Sequence, residues 1–166
     1  MNIKFFTTII LLLIVGRSFA QIDYNTTQNS TPSISNGRYY FAKLINTNIS
    51  FFDNCNTDTL PDGATISTLK VGSQGAYSIG LRITGLYLAQ GAELNFYTPQ
   101  HSHSLESVSY QNNKQDSTLR TAQLVGDTMI VELYLPASTK QNDFIIAKVC
   151  HDYANVLEET TSIKKS

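Results

Sequence analysis

Met129-Ile130-Val131-Glu132-Leu133-Tyr134-Leu135 decides the fold class. Met129, Val131, Leu133 and Leu135 fall on one side of a two-residue period and Glu132 on the other, which predicts a strand with one buried and one wetted face. Tyr77–Ile83 repeats the pattern, its odd positions apolar and its even ones small or charged. Leu94 and Phe96 oppose Glu93 and Asn95 in another run. In Phe144–Cys150 the same parity puts Ile145, Ala147 and Val149 on the core side and Lys148 opposite. Cys150 then shares the Lys148 side, away from the interior.

Between these runs stand residues that reverse a chain. Pro61-Asp62-Gly63 and Gly126-Asp127 are strong turns, and Gly72-Ser73-Gln74-Gly75 and Gln90-Gly91 mark two more. Pro136 ends its strand because it has no N–H to give a ladder. No segment between 38 and 153 keeps a helical period with caps. The expected architecture is an all-β antiparallel sandwich over residues 37–153, jelly-roll-like, with about eight or nine strands in two packed sheets.

The ends read differently. Met1–Lys4 is short and positive, Phe5–Val15 is apolar, and Ser18-Phe19-Ala20 offers small residues to a signal peptidase. That order is a secretory signal over residues 1–20, cleaved near Ala20, so the chain is expected to be exported to the periplasm or beyond the cell. The apolar stretch is well short of the ~20 residues a membrane helix needs, and no transmembrane segment is expected elsewhere. Residues 21–36 form a polar lead-in too poor in apolar side chains to order itself. Residues 154–166, with Glu158, Glu159, Lys164 and Lys165, form a charged tail.

A formal net charge of −1 argues against a nucleic-acid partner, which requires a concentrated basic surface. The two cysteines, Cys55 and Cys150, either form one disulfide in an oxidising compartment or stay as unpaired thiols. His101-Ser102-His103, with His151, is the nearest approach to a metal site. Three or four ligands are needed and the sequence sets only two side by side, so neither metal nor cofactor is expected. No Gly-x-Ser-x-Gly elbow is present, His151-Asp152 reads as a strand-exit pair, and no catalytic residue is assigned. Tyr39-Tyr40-Phe41, Tyr87, Tyr97, Tyr110 and Tyr134 would suit either a sugar-stacking surface or ordinary cross-strand pairing, and there is no Trp. By parity Tyr97 and Tyr134 face outward.

A longer pattern runs through the chain. Leu60-Pro61-Asp62-Gly63, Leu69-Lys70-Val71, Gly75–Ile79, Leu86-Tyr87-Leu88 and Gly91–Tyr97 come first. Tyr110–Lys114, Gly126-Asp127, Val131–Ala137 and Ile146–Tyr153 follow in order. This series, from about Phe41 to Tyr153, resembles the non-catalytic N-terminal domain of secreted lysyl-endopeptidase-like, trypsin-like serine proteases of bacteria. The resemblance implies a β-sandwich associated with exported proteolysis. One departure lies before Leu69-Lys70-Val71, where Ile66-Ser67-Thr68 stands in place of the aromatic usual in that family.

No Gly-Asp-Ser-Gly-Gly nucleophile segment occurs in the chain, so lysine-specific cleavage is not carried over. The expectation is a non-enzymatic accessory domain, pro-region-like or a standalone relative, that contacts a secreted trypsin-like protease. The contact surface would include Tyr97, His101, His103, Tyr110, Lys114 and Tyr134. The alternatives are a module that binds glycan or another envelope component, and the truncated product of a protease gene.

Overall fold

The structure, a computed structural model, describes residues 20–23, 32–35 and 37–157. The expected signal up to Phe19 and the tail from Glu158 lie outside the described residues.

Two sheets pack face to face. One combines β1 (Ala20–Asp23), β5 (Asn56–Thr59), β6 (Thr65–Gly72), β8 (Glu93–Tyr97), β9 (Val108–Ser109) and β12 (Thr128–Leu135). The other combines β4 (Ala42–Ser50), β7 (Ser78–Thr84), β10 (Thr118–Arg120), β11 (Leu124–Val125) and β13 (Ile145–Asp152). A separate hairpin joins β2 (Ser33–Ser35) to β3 (Arg38–Tyr40). The chain passes repeatedly from one sheet to the other, and among the described residues every strand pair is antiparallel except β1 with β6. The antiparallel all-β sandwich expected from the alternating runs is what forms. Its additional strands are short pieces at the sheet edges and the separate β2–β3 hairpin.

The alternation holds where a strand faces the core on one side only. Met129, Val131 and Leu133 are fully buried and Leu135 nearly so, as are Leu94 and Phe96 on the neighbouring β8. From the second sheet Ile79, Leu81, Ile83, Ile146 and Val149 meet them. Each such side chain contributes roughly 1.5–3 kcal/mol by leaving water. Tyr77 departs from its run: it stands in the turn before β7, and its ring is exposed.

β13 corrects the sequence reading. Its register shifts between Ile146 and Lys148: against β7 Ala147 is the extra residue of a β-bulge, while against β4 the extra residue lies on β4, where Thr47 and Asn48 stand opposite Ala147 alone. A bulge resets the two-residue parity. Ile146, Val149 and His151 therefore point inward, where Ile145, Ala147 and Val149 were expected. Past the bulge Lys148 and Cys150 do share the outer side.

One end of the sandwich is closed by α1 (Phe51–Asn54), a single turn that no helical period announces. Ser50 caps it by accepting from Asp53 N at 3.2 Å, while Asp143 accepts from Ser50 Oγ at 2.6 Å and from Phe52 N at 3.0 Å. Phe51 is thereby driven into the core and stacks on Phe144 at 4.5 Å. The inward position ahead of Leu69 is held by Ser67, whose hydroxyl pairs with that of Thr57 at 2.8 Å.

The start of the lead-in pairs with the first sheet. β1 lies parallel to Leu69–Gly72 of β6, on the same edge where β5 covers Thr65–Thr68. The segment need not order itself, because β6 supplies an existing row of backbone partners. At the other end the described chain continues past β13: Ala154 is buried, and its N–H donates to Asp152 Oδ1 at 2.8 Å.

Candidate functional surface

The outer face of β8 and β12 carries Asn95, Tyr97, Glu132 and Tyr134, because the inward parity of Leu94, Phe96, Val131 and Leu133 leaves them outside. Tyr97 pairs in register with Ile130, and its hydroxyl reaches diagonally to donate to Glu132 Oε2 at 2.6 Å. Burial first, and then the hydrogen bond and charge of Glu132, push this phenol well above the usual tyrosine range. Tyr97 is therefore held as a hydrogen-bond donor to Glu132.

The loop after β8 folds back over that tyrosine. His101 N donates to Thr98 O at 2.8 Å and Thr98 N to His103 O at 3.0 Å, closing a tight reversal. His101 takes a left-handed φ of 54° and lays its ring on Tyr97, centroids 4.2 Å apart and planes 21° from parallel. A shallow polar hollow of about 320 Å³ results, with Asn95, Tyr97, His101, Ser107 and Glu132 in its wall.

The expected contact residues thus divide. Tyr97 and His101 are in contact. His103 is exposed in the same loop, with Nδ1 3.2 Å from Ser102 Oγ. Tyr134 shares the outer face but pairs with Glu93, four residues along β12 from Ile130 and so roughly 13 Å away. Tyr110 begins the 3-10 turn Tyr110–Asn112 after β9, near the Glu93 end, and Lys114 is exposed beyond it. Among the described residues no group of three His, Cys, Asp or Glu suited to a metal forms.

A second polar group lies inside the fold, where the sequence suggests only a strand exit at His151-Asp152. His151 Nδ1 is 2.8 Å from Ser73 Oγ, and Asp152 accepts from Ser78 Oγ at 2.7 Å. All four residues are buried. Burial pushes the His151 imidazole below its ordinary value, against the opposing charge of Asp152 and with that of Lys43. The arrangement has a serine and an imidazole in contact but not the chemistry of a triad. Asp152 spends its oxygens on Ser78 and on the N–H groups of Ala154 and Val156, not on the imidazole. Ser73 is fully buried, so its hydroxyl has no path to a substrate. The cluster instead ties the β6–β7 turn to the end of β13.

The disulfide that two cysteines allow is not formed; both are free thiols. Cys55 sits beside α1, 3.8 Å from Phe52 O and 3.6 Å from Thr57 Oγ1. Cys150 stands on the outer side of the other sheet and accepts from Gln123 Nε2 at 2.9 Å.

A model of the lysyl endopeptidase N-terminal domain family matches residues 55–151, more than half of the chain. The chain belongs to that family. The matched segment of this lysyl endopeptidase N-terminal domain opens at Cys55, just before β5, and closes at His151, within β13. It includes the Tyr97 hollow and three of the four buried polar residues, Asp152 falling just beyond it. It leaves out β4, although β4 completes the second sheet beside β13. No curated protein matches the chain.

Proposed function

We propose that this lysyl endopeptidase N-terminal domain is an exported, non-catalytic accessory module that acts on a lysyl-endopeptidase-like serine protease through surface contact. It works either as a pro-region joined to the enzyme or as a free-standing partner. The family match over residues 55–151 carries this reading. The hollow around Tyr97 supports it as the contact face, since it presents the Tyr97–Glu132 pair on two neighbouring strands and the aromatic stack of Tyr97 with His101. Such a face assists folding of the protease or restrains it before release. The glycan-binding alternative has weaker support, because the exposed tyrosine rings are divided among β3 (Tyr39, Tyr40), the two ends of β7 (Tyr77, Tyr87) and the 3-10 turn (Tyr110).

The test mixes the purified chain from Gln21 onward with the catalytic domain of a lysine-specific, trypsin-like endopeptidase from the same host. Two quantities are read: hydrolysis of a lysyl amide substrate, and recovery of active enzyme after dilution from denaturant. Inhibition, or a raised yield on refolding, is expected, with Tyr97→Ala weakening it. If neither quantity responds to a large excess of the chain, the accessory role is wrong.

A further inference from the structure

Three cations stand in one transverse row on the outer face of the second sheet. Arg82 on β7 pairs directly with Arg120 on β10 and with Lys148 on β13. Residues opposite each other on adjacent strands have Cβ atoms about 4.5–5.5 Å apart, and like charges in such pairs are destabilising. The row borders a cavity of about 310 Å³ whose lining contains no acidic residue. Gln123 and Cys150 form the adjoining wall. A Cβ on Gly80 would stand 3.3 Å from the Gln123 amide, so a bare glycine is what lets that amide lie flat on the sheet.

Among the described residues only two buried side-chain polar atoms lack a hydrogen-bond partner: Arg82 Nε and Gln123 Oε1. Both belong to residues of this one cavity. Leaving a buried donor or acceptor unmade costs about 1–3 kcal/mol, so two such atoms in one small site call for an explanation. One atom is a cationic donor and the other a neutral acceptor. A ligand that satisfies both must bring an anionic acceptor and a hydrogen-bond donor together. An acidic residue in a peptide does so, through its side-chain carboxylate and a backbone amide, whereas sulfate or a simple carboxylate brings only the first. Leu44, exposed at the cavity's rim, adds an apolar surface for a neighbouring side chain.

We propose that the cavity bounded by Arg82, Arg120, Lys148 and Gln123 is a recognition site for an acidic polypeptide segment. The carboxylate sits against the Arg82 guanidinium, flanked by Arg120 and Lys148, and a small turn of the Gln123 side chain brings its shielded Oε1 to a peptide N–H. The site lies on the sheet opposite the Tyr97 hollow and stands independently of the accessory reading.

The probe is the peptide acetyl-Gly-Asp-Leu-Gly-amide, titrated into the ¹⁵N-labelled chain from Gln21 onward and followed by NMR shifts. Its Asn counterpart, sodium sulfate and a galacturonate oligomer serve as the other arms. The Asp peptide is expected to move the amides of Gly80, Arg82 and Gln123 and to bind about tenfold or more tightly than the Asn peptide, a difference of ~1.4 kcal/mol. Arg82→Gln should remove binding, and Gln123→Glu should also remove it by supplying an internal carboxylate. Because Gln123→Glu offers Arg82 a partner, it should raise Tm, which separates loss of binding from loss of folding. The proposal is overturned if the Asp and Asn peptides bind alike, or if no shift occurs at roughly 1 mM, where even a 1 mM Kd fills half the sites. It is equally overturned if Arg82→Gln binds as well as the parent, or if sulfate or the uronate binds as well as the Asp peptide.

Discussion

Tyr97 and Glu132 are joined by a 2.6 Å hydrogen bond that crosses from β8 to β12 on the diagonal. The acceptor is charged and the pair half-buried, so the bond is worth more than a neutral surface contact, about 1–2 kcal/mol. Tyr97→Phe should lower the stability measured by urea unfolding by about that amount, and Glu132→Gln by less, since the amide oxygen still accepts. A spectrophotometric titration gives an independent reading. One tyrosine should ionise far above the ordinary range, and that late component should vanish in Tyr97→Phe. If it persists, the phenol held by Glu132 has been misassigned.

His151 sets how the fold responds to acid. Its imidazole is held below the ordinary 6.5 by burial, so the folded chain resists a proton that the unfolded chain accepts. Stability is therefore full above about pH 6.5 and falls as pH drops from there toward the depressed folded value. Asp152 opposes the depression and Lys43, opposite on β4, adds to it. Urea unfolding at a series of pH values should show this slope in the parent and a flatter one in His151→Gln, which can still bond Ser73. An unchanged slope in His151→Gln would assign the acid response to other groups.

The sequence disclosed one-sided strands and concealed everything that depends on register. Met129–Leu135 was readable because every second side chain meets the opposite sheet. Phe144–Cys150 was not, since the extra residue at Ala147 has no local signature and exchanges Ile145 for Ile146 in the core. The nearness of Tyr97 and His101 was partly visible, being four positions apart across a Pro-containing turn. The Arg82, Arg120 and Lys148 row was invisible, because the residues are far apart in the chain and only strand pairing aligns them. Glu132 looked like an ordinary wetted residue for the same reason. Ser73 and His151 were seen separately, as a turn residue and a strand exit, and only the packed fold joins them.

Gly91 is constrained twice. It has a φ of +81°, and a Cβ there would lie 2.9 Å from Pro136 Cγ. Gly75 has a similar φ of +80° with nothing within 4 Å of its would-be Cβ. Gly75→Ala should therefore cost only the backbone strain, about 1 kcal/mol, and Gly91→Ala about 1–3 kcal/mol more from the clash. Adding Pro136→Ala should recover part of the Gly91→Ala loss but none of the Gly75→Ala loss. Equal costs for the two alanines would mean that the Pro136 ring moves aside freely.

The two thiols give a test of the fold that needs no partner. Cys55 belongs to the edge of one sheet and Cys150 to the outer side of the other, and each already has a polar neighbour. A disulfide requires Cα atoms about 4.4–6.8 Å apart and typically adds about 2–4 kcal/mol. Without that bond, excess dithiothreitol should leave Tm unchanged, and the chain unfolded without reductant should release two titratable thiols. Burial pushes the Cys150 thiol upward, with the Asp152 charge acting in the same direction and the Gln123 bond against it. Since the thiolate is the reactive form, Cys150 should alkylate slowly at neutral pH. A fall of several degrees in Tm on reduction would instead show that Cys55 and Cys150 meet, and that β13 and α1 are arranged differently from the fold described above.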